Sequence, residues 1–330
     1  MSRTMAAARR RDLTLAAIVR WATPSALLVL LVLFAAASPT FRTPGNLLHI
    51  LVNNFTLPAL VALGMTLVVS AGGIDLSVGT SADIAAMIAV TLMAAGHGLL
   101  LSLGAGLAGA LAVGLVDALL ISGLGISPFL ATLGVLFVGE SVQQLATNGG
   151  TPIYLVSNFP SAGLAGLAHG ALLAVPAPLW ILGAAVFLVE VLLRRTAFGR
   201  HVRASGAAPQ VARYSGLPVR RTIGLVYILS ALLCGIAGLL LAATVKSYVP
   251  LSGNAFLLDA IGAVFVGTTI SREAKPNVLG TLLGVFLFGM LHNGLLLIGW
   301  NFYWQQVAVG LLVFGVLAAS FSARRLQARD

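Results

Sequence analysis

Charge is scarce in this chain. Of its 330 residues only 8% are Asp, Glu, Lys or Arg, where a soluble domain carries roughly 25%, and so small a share excludes a water-facing globular shell. Cysteine is scarcer still: Cys234 stands alone inside an apolar run, so no disulfide can form within the chain. The phosphate-cradling pattern Gly-x-x-x-x-Gly-Lys-Ser/Thr is missing, which removes that route to ATP. A Gly-x-Ser-x-Gly nucleophile turn is missing as well. His49, His97, His169, His201 and His292 are scattered, without the spacing of a metal site. An enzyme reading has nothing to stand on, and no cofactor or metal is expected on this chain.

What is present is apolar. Hydrophobic residues make up 59% of the chain and the mean hydropathy is +1.02, which makes a lipid bilayer its natural solvent. The 37 glycines suit the close helix contacts that organise membrane bundles. A helix needs about 20 apolar residues to cross a bilayer. The sequence predicts an all-α, polytopic membrane protein of about ten spans: 22–37, 47–70, 76–95, 98–122, 126–146, 171–193, 222–243, 255–270, 277–299 and 302–321. No small-residue cleavage site is evident near Ser38, so the first span reads as retained rather than as a signal peptide.

The cations fix an orientation. Arg3, Arg9, Arg10, Arg11 and Arg20 precede the first span. Arg194, Arg195, Arg200, Arg203, Arg213, Arg220 and Arg221 fill one central stretch, and Arg324, Arg325 and Arg329 end the chain. With ten spans these segments and the 272–275 turn share one face, leaving only Arg42 and Lys246 on the other, so both termini are expected in the cytoplasm. The net charge of +10 therefore reflects topology and anionic lipid, not nucleic acid. The expected divisions are a cytoplasmic tail at 1–21, a transmembrane domain at 22–321 with a cytoplasmic segment at 194–221, and a second tail at 322–330. Five spans in each half suggest an inverted repeat. Asp83-Ile-Ala-Ala-Met-Ile-Ala-Val in the third span is echoed by Asp259-Ala-Ile-Gly-Ala-Val-Phe-Val in the eighth.

Ser70 to Asp83 joins the second and third spans with paired glycines, two carboxylates and several hydroxyls, yet no cation. Gly72 and Gly73 permit tight backbone, and Asp75 and Ser77 are residues that cap helices. Two readings stand side by side: a broken helix beside a translocation path, or an N-cap at the membrane interface. Asp117, Glu140 and Asp259 also fall in or near apolar spans, where a carboxylate faces protein or water. On the basic stretch, Pro209 suits the first turn of a short helix, Gly216 the position after its last turn, and Pro218 blocks continuation. Such a helix is shaped for a groove on a partner; contact with lipid headgroups is the other reading. The loop from Thr147 to Gly170 carries no Lys, Arg, Asp or Glu, and reads either as a docking surface for an extracytoplasmic partner or as a connector.

Gly72-Gly73-Ile74-Asp75-Leu76-Ser77-Val78-Gly79 resembles the hallmark of bacterial ABC importer permeases of the ribose/xylose/galactose family. The likeness continues through Ile126-Ser127-Pro128-Phe129-Leu130-Ala131-Thr132-Leu133-Gly134, Gly206 to Val219, Leu258 to Val264, and Gly280-Thr281-Leu282-Leu283-Gly284. The resemblance implies a permease in the bacterial inner membrane that pairs with a second permease copy, identical or not. It further implies an ABC-type ATPase below, a periplasmic sugar-binding protein above, and import of a monosaccharide or polyol. The path motif falls on Gly72, Gly73, Asp75, Ser77, Gly79, Asp83 and Asp259. ATPase coupling falls on Ala207, Ala208, Pro209, Gln210, Arg213 and Gly216. The chain departs from the family after Gly267, where Thr268 to Pro276 replaces a glycine-rich turn. The rival reading is an ion-coupled secondary transporter with Asp75 or Asp83 as its ion site.

Overall fold

The computed structural model describes residues 21, 23–155, 162–271 and 275–327. Most of the 1–21 tail, Phe159, Pro160, Arg272, Glu273 and Arg329 lie outside the described residues. Helix dominates. Six helices are long and apolar enough to cross a membrane: Pro44–Ser70, Leu99–Gly123, Pro128–Ala146, Ala177–Arg195, Val219–Val245 and Val278–Leu297. Thr23–Ala37, Val78–Ala94 and Ser252–Thr268 are shorter apolar helices, and a last helix runs Phe302–Gln327. The protein is an all-α polytopic membrane protein.

Several elements differ locally from the sequence reading. The Pro44–Ser70 helix widens into a π segment over Ile50–Phe55. Pro58 explains the position, because it has no N–H for the carbonyl of Asn54 and its ring crowds that turn. The sixth span starts at Ala177 rather than 171. Before it, Ala171–Leu172 and Val175–Pro176 pair as a small hairpin, turned by Leu173 at φ +52° and Ala174 at φ +63°. The 147–170 stretch contains a helix at Ala162–His169, and its Ile153–Tyr154 pairs antiparallel with Ser247–Tyr248. The 194–221 segment folds as two helices, Ala197–Ala207 and Pro209–Tyr214. The Phe302–Gln327 helix carries ordered backbone past residue 321.

The chain divides into two compact units that cut across its two halves. One comprises residues 1–55 and 262–330, the other 56–261. In the first, the Val278–Leu297 helix lies on the π segment. Gly289 makes the approach possible, since a methyl group there would meet the Asn54 carbonyl at 2.8 Å. Asn46 and Asn293 exchange reciprocal amide hydrogen bonds of 3.0 Å beside it, and the ring of Phe55 stands edge-on to that of Phe286. In the second unit the Val219–Val245 helix is the hub. Gly235 packs against Ala110 and Ala85, and Gly238 sits directly on the backbone of Ala82. Helices come this close where small residues line the contact.

Candidate functional site

The hallmark loop is built by its glycines. Gly72 adopts φ +86° as the Pro44–Ser70 helix ends, a conformation that suits glycine. Gly73 has no room for a side chain, because Val68 and the Tyr227 phenol press against it. The backbone then extends to Ser77, and the Val78–Ala94 helix begins. Ser77 makes no side-chain cap bond to that helix, while Asp75 accepts the N–H of Ser77 at its start. The loop's polar groups are also tied to other helices.

Asp75 is the knot. Its Oδ1 accepts from the Ser77 N–H at 2.8 Å and lies 2.6 Å from the Ser77 hydroxyl. Its Oδ2 accepts from the Ser230 hydroxyl at 3.2 Å. Ser77 Oγ is also 2.7 Å from Asp117 Oδ2. One hydroxyl has one proton, so the bridge between two carboxyls is complete only when a second proton sits between them. The Leu76 N–H donates to Thr132 Oγ1 at 3.0 Å. The loop is thus held by Asp117 of Leu99–Gly123, Thr132 of Pro128–Ala146 and Ser230 of Val219–Val245. Ser77, Asp117, Thr132 and Ser230 are all buried, and the ion pair of Glu190 with Arg194 lies elsewhere. Asp75 and Ser77 were legible in the sequence; Ser230 and Thr132 were not singled out as site residues.

Gly79 and Asp83 lie a turn further along, against a different segment. The chain leaves the Val219–Val245 helix through Lys246 at φ +53°, runs extended past Leu251 at φ +64°, and enters the Ser252–Thr268 helix. The start of that helix meets the start of the Val78–Ala94 helix. A methyl group on Gly79 would lie 2.9 Å from the Gly253 carbonyl and 2.8 Å from Asn254 Oδ1. Asp83 Oδ1 accepts from the Gly253 N–H at 2.8 Å and from the Ser252 hydroxyl at 3.0 Å. The Pro128–Ala146 helix closes the third side. Glu140 accepts from the Asn254 amide at 2.7 Å, and Gln143 Oε1 accepts from the Tyr248 hydroxyl and the Leu251 N–H. Asp259 is buried further along its helix.

The basic segment reaches the hallmark loop directly. In the Ala197–Ala207 helix, Gly206 stacks on the backbone of residues 70–72: a methyl group there would collide with the Ser70 carbonyl, and one on Gly72 would lie 3.2 Å from Gly206 Cα. The Pro209–Tyr214 helix follows with Pro209 at its first turn. It closes as a Schellman motif, in which Leu217 N–H donates to Ala212 O, Gly216 N–H donates to Arg213 O, and Gly216 takes φ +79°. Gln210, Val211, Arg213 and Tyr214 are exposed along it, Tyr214 at 89%. A cleft of about 570 Å³ also opens among three helices; Ile84, Ile88, Val113, Val138 and other apolar side chains line it, with Thr80 its one hydroxyl.

Residues 47–317 match the family described as branched-chain amino acid transport system / permease component. The ribose import permease protein RbsC of Bacillus subtilis is 35% identical over 287 residues, covering 87% of this chain and 88% of that one. RbsC of Escherichia coli K12 is 33% identical over 312 residues, 94% and 96% of the two chains. The autoinducer 2 import system permease protein LsrD of Yersinia pseudotuberculosis is 34% identical over 306 residues, 92% of each. No solved structure matches.

Proposed function

The chain belongs to this family of permease components, and from that premise we propose that it imports a monosaccharide or related polyol as the membrane subunit of an ATP-driven importer. It is a transport subunit of the bacterial inner membrane, not an enzyme, and it works with an ATPase and a substrate-binding protein. The family description and the relatives' names span amino acids, ribose and autoinducer 2, so one fold serves several solutes, and the sugar assignment follows the 33–35% identity to the ribose permeases. The proposed assembly has a second permease copy, cytoplasmic termini, and ATP held by the partner ATPase alone.

The observation that supports coupling is the stack of Gly206 on residues 70–72. The exposed face of Pro209–Tyr214 is the ATPase contact, with Ala207, Ala208, Pro209, Gln210, Arg213 and Gly216 forming it. A push there moves the Ala197–Ala207 helix. Backbone contact passes the displacement to the loop holding Asp75 and Ser77, which is tied to three helices. Main chain transmits it with little loss, because no side-chain rotamer lies in the path. Gly72, Gly73, Asp75, Ser77, Gly79, Asp83 and Asp259 lie along the solute path.

The test is reconstitution of the permease with its ATPase and binding protein in liposomes. D-Ribose should enter when ATP is supplied and should not enter under an ion gradient without nucleotide. Uptake driven by the gradient alone would restore the ion-coupled reading. Reversing Arg203 and Arg213 to Glu should leave the purified ATPase active while abolishing ATP-dependent uptake.

A further inference from the structure

The meeting of the two helix starts leaves several buried polar atoms unmet. Asp83 Oδ2, Thr80 Oγ1, Gln143 Nε2 and Asn254 Oδ1 have no hydrogen-bond partner among the described residues. Thr80, Asp83 and Gln143 are each at most 1% exposed. Natural structures pair nearly all such groups, and an exception asks for a reason.

These atoms are neighbours. Gly79, Thr80 and Asp83 share one face of the Val78–Ala94 helix by their i, i+1, i+4 spacing, and Gly139, Glu140 and Gln143 share a face of Pro128–Ala146 the same way. The faces oppose each other: Gly139 packs on the Thr80 side chain, Glu140 holds Asn254, and Asn254 Oδ1 abuts Gly79. Asp83 Oδ1 anchors the opposite helix start while Oδ2 is unused.

We propose that this junction is the solute-reading constriction of the permease, where hydroxyl groups of a neutral polyol replace the contact between Gly79 and Gly253 and meet Thr80, Asp83, Gln143 and Asn254. The chemistry selects that class. Two carboxylates, Asp83 and Glu140, repel an anion, while two helix N-termini disfavour a cation. A neutral polyol offers both donors and acceptors, which suits a set with one amide N–H, one hydroxyl and two acceptor oxygens. In the conformation described, the glycines touch and the junction is shut. Its opening exposes the four atoms together, and half-helix N-termini are a known way of placing ligand groups at a membrane constriction.

This inference deepens the proposed function and rests on it. The decisive variant is Thr80→Val. It keeps shape and removes only a hydroxyl that has no partner, so a purely structural junction tolerates it. In liposomes holding permease, ATPase and binding protein, the readout is D-ribose taken up per ATP hydrolysed. A lost neutral hydrogen bond predicts a fall of about three- to tenfold for Thr80→Val, and Asp83→Asn, which keeps the acceptor for Gly253, should fall similarly. The melting temperature and yield of Thr80→Val should match the parent. An unchanged ratio in Thr80→Val overturns the constriction, as does a fall accompanied by a lower melting temperature, which assigns the hydroxyl to packing. Failure of the parent protein to take up D-ribose with ATP overturns the functional reading itself, an outcome separate from either.

Discussion

At Ser77 a single hydroxyl stands between two carboxyls. Replacing it with alanine leaves Asp75 and Asp117 buried without their shared donor, and an unmet buried polar group costs about 1–3 kcal/mol. Ser77→Ala should therefore lower the melting temperature of the purified permease, whereas Ser102→Ala should not, because Ser102 bonds only back to the Gly98 carbonyl. Gly206→Ala belongs to the same scale. Its methyl has no space against the Ser70 carbonyl, and overpacking of this kind costs about 1–3 kcal/mol. It should lower D-ribose uptake per ATP in the reconstituted importer. Asp75 and Asp83 stand out in the sequence because a carboxylate amid apolar residues needs a reason. Ser230 and Thr132 do not stand out. Hydroxyls in apolar helices commonly bond back to the carbonyl four residues earlier, as Thr66, Ser122, Thr222 and Thr244 do here; Thr132 does so too while accepting from the loop, and sequence alone does not show which hydroxyls take on the second bond.

At the element scale, long apolar runs and their punctuation carried most of the reading. Pro209 and Gly216 bound the short helix as their chemistry requires. Gly216→Val should disfavour its φ of +79°, cost about 1–2 kcal/mol, and weaken co-purification of the ATPase. The 171–176 hairpin escaped because its turn is made by Leu173 and Ala174, residues that rarely take positive φ. The Ala197–Ala207 helix escaped for a different reason: its charged residues break up any apolar run that would mark it, although Thr196 accepts a hydrogen bond from the Gly199 N–H at its start. The extended run from Lys246 to Leu251 hides within apolar sequence, since nothing in its composition marks a strand entering beside helices.

Across the whole molecule, hydropathy revealed the class and the order of helices, but pairings distant in sequence were out of reach. Asp75 with Ser230, Asp83 with Gly253 and Ile153 with Tyr248 depend on which helices become neighbours, and the six spanning helices are each apolar enough to pack on several others. The lone cysteine gives access to orientation. Cys234 is fully buried, so the native chain is silent to a membrane-impermeant maleimide. Arg213→Cys should react only after the cytoplasmic face is opened, and Tyr154→Cys should react in cells whose outer membrane alone is permeabilised; the reverse pattern would invert the topology.

The stack of Gly206 on residues 70–72 also limits how evolution can repair damage there. Its two surfaces are main chain, so no exchange of side chains between them can restore a lost fit. Second-site revertants of Gly206→Ala should therefore be absent from positions 70 to 72. They should instead arise where the Ala197–Ala207 helix can be re-seated, among the smaller residues supporting it from behind.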